Sequence, residues 1–221
     1  MAMVTAVPAR SRQEERSQQT RQRLMAATVE CLAELGWSGT TTTVVAERAG
    51  VSRGAQLHHY RTRAELVLAA VEHLAEVRRE EVLREAAALP AGENRTAAVL
   101  DMLARLYTGP LFQAALELWV AARTDQELRA AVVPLEAKVG RESHRLTVEL
   151  LDADESRPGV REAVQATLDL MRGLGLANTL TDDGARRSRL LAEWARTLDR
   201  TLGRAAPNRT GATKKGTREA P

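Results

Sequence analysis

The short stretch of residues 51–60 carries side chains that could read the edges of base pairs. Arg53 and Gln56 stand three positions apart, and the forked side chains of Arg and Gln match guanine and adenine in the major groove. Gly54 and Ala55 are small enough to let a backbone approach base edges, and an alanine methyl can touch the methyl group of thymine. No acidic residue interrupts the stretch, so it predicts a surface that DNA tolerates.

Polar side chains around this stretch suit contacts to DNA phosphates. Hydroxyls, imidazoles and cations at helix starts and flanks hold a protein on the duplex without reading sequence. The candidates are Thr41, Thr43, Ser52, His58, His59, Tyr60, Thr62 and Arg63. Adjacent residues of a helix diverge by about 100°, which favours phosphate contact over metal ligation for His58 and His59.

Two short helices joined by a tight turn must position these residues. An apolar stripe at i, i+3, i+4 and i+7 marks the first helix and consists of Thr42, Val45, Ala46 and Ala49. Thr41 is placed as its N-cap, and Gly50 supplies the left-handed turn residue that follows. Val51 is the apolar plug of the corner, and Ser52 caps the second helix. The pattern is a helix-turn-helix.

These residues resemble the TetR/AcrR family of bacterial transcription regulators. The resemblance covers roughly residues 17–70 and rests on residues 46–52, 54–55, 58–60 and 62–66. It implies an all-α fold of about nine helices, with a three-helix DNA-binding head at 17–63 and a helical effector-binding and dimerisation body at 64–206. It also implies a homodimer, a double-stranded DNA operator and a small-molecule effector of unknown identity.

One departure from the family pattern bears on the reading face. The family usually has an aliphatic residue and then Tyr where this chain has Gln56 and Leu57. Gln56 could therefore read a base, or Leu57 could have been rotated inward to compensate. We predict that Arg53 and Gln56 share the outward face.

Helical periodicity continues through the rest of the chain. A first helix is expected from Ser17 to Leu35, and a capping box of Thr62 and Glu65 opens a long helix toward Ala88. Further helices are expected at 95–107, 110–122, 125–152, 160–180 and 184–202, with Pro134 kinking or dividing the third of these. Residues 1–16 and 207–221 are expected to be a disordered arm and tail.

Charge is divided unevenly along the chain. Residues 1–63 hold nine Lys and Arg against five Asp and Glu, whereas residues 64–206 hold 19 against 23. The basic part is the part with the helix pair, as expected of a nucleic-acid-binding region. The single cysteine, Cys31, falls in an apolar helical stripe, and no run of about 18 apolar residues could span a bilayer. These features predict a cytoplasmic protein without membrane contact.

No arrangement of side chains in the sequence is typical of an active site. There is no glycine-rich phosphate loop, nucleophile elbow or metal-spaced set of Cys and His residues. Asp152, Asp154 and Glu155 cluster at an expected helix end before Pro158, which favours a solvated turn over acid–base chemistry. We expect no enzyme, no cofactor and no metal.

Two apolar stripes near the C-terminus predict the homodimer interface. Antiparallel helices at 160–180 and 184–202 are expected to form a four-helix bundle with the same helices of a second copy. The stripes consist of Val164, Leu168, Met171, Gly175, Leu190, Leu191, Trp194 and Leu198. The same stripes could instead fill the core of a single chain.

A pocket for a small apolar or amphipathic ligand is expected between the helices at 95–107, 110–122 and 160–180. Its adaptable apolar wall would be Met102, Tyr107, Phe112, Trp119 and Met171. Its polar groups would be Arg105, Gln113 and Asn178. Each of these residues could also be plain core.

Two functions follow from these patterns. The first is a sequence-specific transcription regulator, specifically a repressor that its effector releases from the operator. The second is an all-helical ligand-binding or interaction protein whose helix pair only packs. The basic balance of residues 1–63 and the acid-free second helix favour the first.

Overall fold

A computed structural model describes residues 12–89, 92 and 94–204 of this 221-residue chain. The described part is all-helical, which confirms the expected fold class of about nine helices. Its nine helices are α1 Arg12–Gly39, α2 Thr42–Ala49, α3 Arg53–His59, α4 Arg63–Ala87, α5 Arg95–Tyr107, α6 Pro110–Ala122, α7 Gln126–Leu150, α8 Val160–Ala177 and α9 Gly184–Thr201.

The expected start of the first helix is wrong. Helix α1 already includes residues 12–16, which were assigned to a disordered arm, and the carboxylates of Glu14 and Glu15 lie in its first turn. Negative charge is stabilising at this end of a helix. Residues 1–11 and the predicted tail at 207–221 lie outside the described residues.

Pro134 does not divide α7, which runs through it as one helix. Proline has no N–H, so one backbone carbonyl of the preceding turn lacks its helical donor. Pro134 is exposed, so water can reach that carbonyl.

A small core holds the first helices together. Leu24, Cys31, Val45 and Leu66 are fully buried where α1, α2 and α4 meet. Burial raises the pKa of the Cys31 thiol, which fits the expected role of this residue as a small apolar side chain. This core holds α2 against α1 and α4. Because α3 follows α2 after only three residues, the position of α2 also limits the position of α3.

A second core joins this head to the rest of the molecule. It packs Leu32 of α1 against Val67 of α4, Ala114 and Leu118 of α6, and Leu128 of α7. Helix α1 is thus shared between the two parts. Close-packed side chains therefore join α4 and α6 directly to the head.

The third core lies at the far end of the molecule. It packs Leu100 of α5 against Val164 and Met171 of α8 and Leu198 of α9, all fully buried. Thr96 of α5 also donates a hydrogen bond of 2.5 Å to Asp199 of α9. Helices α5, α8 and α9 are thus packed together in this core.

Candidate nucleic-acid interface and internal cavity

The turn between α2 and α3 has the predicted construction. The hydroxyl of Thr41 accepts a hydrogen bond from the N–H of Val44 over 3.2 Å, so it caps α2. Gly50 ends α2 with φ 60° and ψ 41°, a left-handed conformation that favours glycine. The guanidinium of Arg23 in α1 donates to the carbonyl of Gly50 over 3.2 Å, which fixes the turn against α1.

Helix α3 presents one narrow face to solvent. Ser52 caps it by accepting from the N–H of Ala55 over 3.2 Å. The exposed residues of the helix are Arg53, Gly54, Leu57 and His58. A Cβ atom on Gly54 would meet nothing within 4 Å, so the backbone there is open to a close approach from outside. Arg53 and Gly54 lie where the sequence places them, and Leu57 belongs to this face although sequence analysis did not assign it there.

The prediction that Gln56 faces outward is wrong. Its side chain is completely buried, and its amide donates to the carbonyl of Tyr60 over 2.8 Å. This hydrogen bond satisfies a backbone acceptor just past the end of α3. The Gln56 side chain therefore lies in the interior at the C-terminal end of α3, while 44% of Leu57 remains exposed. The aliphatic side chain has not been rotated inward, and the amide takes the interior position.

The candidate phosphate contacts divide into two groups. Thr41, Thr43, Ser52, His58 and Thr62 are exposed, as contact with a duplex requires, whereas His59, Tyr60 and Arg63 are half-buried, as is Ala55, the candidate contact to a thymine methyl. Burial, followed by the charges of Arg21 and His58, lowers the pKa of His59, which disfavours its cationic form. Burial raises the pKa of the Tyr60 hydroxyl, so this group stays neutral and can still donate.

Arg63 is engaged inside the molecule, contrary to the expectation that it holds phosphates. Its guanidinium carbon lies 3.9 Å from the centre of the Trp37 ring, and its Nη1 donates to the Trp37 carbonyl over 3.1 Å. Arg61, two residues earlier, is exposed. Arg61 is thus the exposed cation of this segment, and sequence analysis missed it because both arginines are equally plausible on spacing alone.

Trp37 also joins the head to the body. Its backbone N–H donates to the carboxylate of Glu117 in α6 over 3.3 Å. The preceding residue, Gly36, has φ 64° and breaks α1 just before this contact. A Cβ atom at position 36 would lie 2.7 Å from the Glu117 carboxylate, so glycine also allows this side chain to come close.

The acidic cluster after α7 is a solvated turn, as expected. Asp154 accepts from the N–H and hydroxyl of Ser156, which lowers the pKa of the carboxyl. Glu155 accepts from His144 and Arg161, and the hydrogen bond to His144 lowers its pKa. Both groups are held ionised, unlike a general acid.

The described residues contain no group of three or more His, Cys, Asp or Glu side chains that could hold a metal ion. None of the described helices is long and apolar enough to cross a bilayer.

A cavity of about 410 Å³, open to solvent on one side, lies between α4, α5, α6 and α7. Of the eight residues predicted to line a pocket, Tyr107, Phe112 and Trp119 line this one. The space lies farther from α8 than expected, because α8 packs its apolar stripe directly against α5. Only Arg172 of α8 reaches the wall.

The other five predicted pocket residues do not line this cavity. Met102 and Met171 are buried in the far core, and Gln113 does not line the cavity. Arg105 pairs with Glu85 at the surface over 3.1 Å, and the Asn178 side chain accepts from Arg187. The cavity draws its polar groups from α4 and α7 instead, in residues that periodicity could not single out: Glu72, Glu76, Arg79, Glu136, Lys138, Glu142 and Ser143.

Most of the residues predicted to form a dimer interface fill the core of this chain. Val164, Leu168, Met171, Gly175, Leu191 and Leu198 are buried within it. A Cβ atom at Gly175 would lie 2.2 Å from the carbonyl oxygen of Tyr107, so this glycine serves contact with α5. Trp194 is half-buried and donates to Thr167 over 2.9 Å, and Leu190 alone of the set is exposed.

Comparison with known proteins agrees with this geometry. The sequence model described as bacterial regulatory proteins, tetR family, matches residues 24–70, which contain the helix pair. The HTH-type transcriptional regulator CymR of Pseudomonas putida is 38% identical over 125 residues, which are 57% of this chain and 62% of CymR. The match thus spans less than two thirds of this relative.

Solved structures share the fold. A transcriptional regulator from Pseudomonas aeruginosa PAO1 superimposes with a TM-score of 0.63 at 22% identity, over 86% of this chain and 93% of the other. The multidrug binding protein EbrR complexed with ethidium gives a TM-score of 0.57 at 23% identity, over 79% of this chain and 98% of the other. At this level of identity the likeness is one of fold.

Proposed function

We propose that this chain, whose residues 24–70 match the sequence model of the tetR family of bacterial regulatory proteins, is a member of that family and a sequence-specific DNA-binding transcription regulator. The observation that carries the proposal is the exposed face of α3, where Arg53, Gly54, Leu57 and His58 face solvent and no carboxylate occurs from 51 to 60. An α-helix fits the major groove, and Arg53 can donate to a guanine edge there. We expect the protein to act in the cytoplasm as a repressor, with no catalytic role.

Recognition of an operator by this surface requires a homodimer. Two recognition helices enter successive major grooves when they are held about 34 Å apart. The exposed surface of α8, α9 and the turn between them suits the interface, because Leu176, Leu180 and Leu190 are exposed by 56%, 90% and 39%. Leu180 lies in the turn between the two helices. These residues replace the buried stripes as the proposed contact between subunits.

A small molecule in the cavity between α4, α6 and α7 would release the DNA. Helix α6 carries both the cavity residue Trp119 and Glu117, which holds the backbone of Trp37. Helix α4 carries Arg63, whose guanidinium donates a hydrogen bond to the carbonyl of Trp37. A ligand that favours a different placement of these helices also favours a different placement of the two heads, and DNA then binds less tightly.

The test is binding of the full chain to the DNA upstream of its own gene, measured by gel shift over a series of salt concentrations. We expect this DNA to bind at least about a thousandfold tighter than a shuffled sequence of equal length. The logarithm of the affinity should fall linearly with the logarithm of salt concentration, because each phosphate contact releases a counterion. Equal and weak binding of both DNAs would favour the packing-only interpretation of the helix pair.

A further inference from the structure

Three neighbouring aromatic rings form one wall of the cavity. The ring centres of Tyr107 and Phe112 are 5.4 Å apart, and those of Phe112 and Trp119 are 5.9 Å apart. Aliphatic side chains from α4 and α7, including Val71, Val82, Val139 and Leu146, complete the apolar lining. Stacked or edge-on contact with such rings favours a flat apolar body, and a volume of about 410 Å³ holds a small molecule.

Two acidic residues of the cavity share a cation. The Nζ atom of Lys138 in α7 lies 2.5 Å from the carboxylate of Glu72 and 3.8 Å from that of Glu76, both in α4. The hydrogen bond to Glu72 and the nearby carboxylate charges raise the pKa of the lysine, which stays a cation. Neither the ammonium nor its two carboxylates therefore lacks a partner of opposite charge.

The two remaining carboxylates of the cavity also have donors. Glu136 accepts from the indole N–H of Trp119 over 3.0 Å, and Glu142 accepts from Arg145 over 3.1 Å. The hydrogen bond from Arg145 lowers the pKa of Glu142, so this group is ionised. A cationic ligand could therefore pair with one of these carboxylates only by displacing the donor that the carboxylate already has.

Arg79 of α4 is the donor with an unused hydrogen. Its Nε atom is buried and has no hydrogen-bond partner among the described residues. The nearest ion-pair contact is Glu142, whose carboxylate oxygen lies 3.7 Å from that nitrogen, too far for a hydrogen bond. Arg172, on the same wall, donates to Asp169 through Nη1, while its Nη2 lies 4.0 Å from Glu136. The buried Nε of Arg79 is thus a donor on the cavity wall without an acceptor, whereas each of the four carboxylates of the lining faces a donor or a cation.

Given the proposed function, we infer that the effector is a small aromatic monoanion, such as an aryl carboxylate. Its ring lies against Phe112 and Trp119, and its anionic oxygens accept from Arg79, with Arg172 as a second cation on the wall. A carboxylate beside the unpaired Nε forms the charge-assisted hydrogen bond that the free chain lacks. Arginine suits this role because its planar group fits a carboxylate with two donors.

Three probes with one ring system test the sign of the ligand charge. The full chain is titrated by calorimetry with 2-naphthoate, 2-naphthamide and 2-naphthylmethylammonium at the same pH and ionic strength. We expect 2-naphthoate to bind about tenfold or more tighter than the neutral amide and the cation to bind most weakly. Equal or tighter binding of the cation, or no binding of 2-naphthoate, overturns the inference.

Two variants identify the cation that holds the anionic group. Arg79→Met should reduce 2-naphthoate affinity to that of the amide, while Lys138→Met, which removes an already paired cation from the same wall, should change it less than about threefold. Loss of the preference for the anion in Lys138→Met but not in Arg79→Met contradicts the assignment. Thermal unfolding of both variants checks that each is folded.

Operator binding by the same preparations separates this inference from the proposed function. If wild-type protein binds operator DNA but not 2-naphthoate, only the ligand class is wrong. If 2-naphthoate binds as expected and no DNA is bound specifically, the proposed function is wrong. Release of operator DNA by 2-naphthoate but not by 2-naphthamide is the result expected when both hold.

Discussion

The carboxylate of Glu117 in α6 accepts a hydrogen bond from the backbone N–H of Trp37 at the end of α1, with 3.3 Å between oxygen and nitrogen. Trp37 stands between the break in α1 at Gly36 and the start of α2. Trp119, two residues beyond Glu117, lines the cavity between α4, α6 and α7. A single side chain therefore connects a cavity-lining helix to the entry of the helix-turn-helix.

Replacement of Glu117 by alanine should loosen this connection. The Trp37 N–H would lose its acceptor, and we expect an unfolding free energy lower by about 1 kcal/mol together with faster hydrogen exchange at the Trp37 amide. Glu127→Ala provides a control, since Glu127 is an exposed acid on α7. Unchanged exchange at Trp37 in Glu117→Ala would show that the contact contributes nothing in solution.

Arg61 and Arg63 should have different roles although they are two residues apart. Arg63→Ala removes the contact with the Trp37 ring and should lower the unfolding free energy by about 0.5–1 kcal/mol. Arg61→Ala should leave stability unchanged and reduce the salt dependence of DNA binding by about one counterion per contact. The opposite pattern, with Arg63→Ala reducing the salt slope, would restore the role that sequence analysis gave it.

Gln56 should matter for stability and Leu57 for DNA. Gln56→Ala removes a buried side chain and its hydrogen bond to Tyr60, so we expect a loss of about 1–3 kcal/mol in unfolding free energy. Leu57→Ala should leave stability nearly unchanged and relax the base preference at one position per half-site, by loss of apolar contact with a thymine methyl. Binding-site selection with both variants would contradict this if Gln56→Ala alone changed the preferred bases.

Leu176 and Leu180 should hold the two subunits together. Leu180→Asp places a charge where 90% of the leucine is exposed, so it should yield folded monomers in light scattering. Val133→Asp is the matched control, because Val133 is 55% exposed and lies on α7, outside the proposed contact. A dimer that persists in Leu180→Asp would move the interface elsewhere.

Local patterns in the sequence predicted the elements that depend on neighbouring residues. The N-caps Thr41 and Ser52, the left-handed Gly50 and the capping box of Thr62 and Glu65 are all present. Each depends on side chain to backbone contacts within three or four residues, which a sequence displays directly. The number and order of the helices follow from the same kind of signal.

Features that depend on packing between distant helices could not be predicted in the same way. Helix α3 has seven residues, fewer than two full turns, so its pattern is too short to tell the inner face of Gln56 from the outer face of Leu57. The stripe of α8 is apolar whether it faces a partner or its own chain, and Gly175 meets Tyr107 of α5. The charged wall of the cavity arises from α4 and α7, which are separated in sequence.

The most direct test of the central claim is the specificity ratio of the wild-type protein and of Arg53→Ala, measured by competition anisotropy on an operator obtained by binding-site selection. We expect a palindromic operator with half-sites about 10 base pairs apart or a multiple of it. Arg53→Ala should bind the operator about 1–3 kcal/mol more weakly and discriminate less at one guanine per half-site. A selection that yields no consensus, or an Arg53→Ala variant with unchanged discrimination, would contradict the assignment of the exposed face of α3 as the surface that reads DNA.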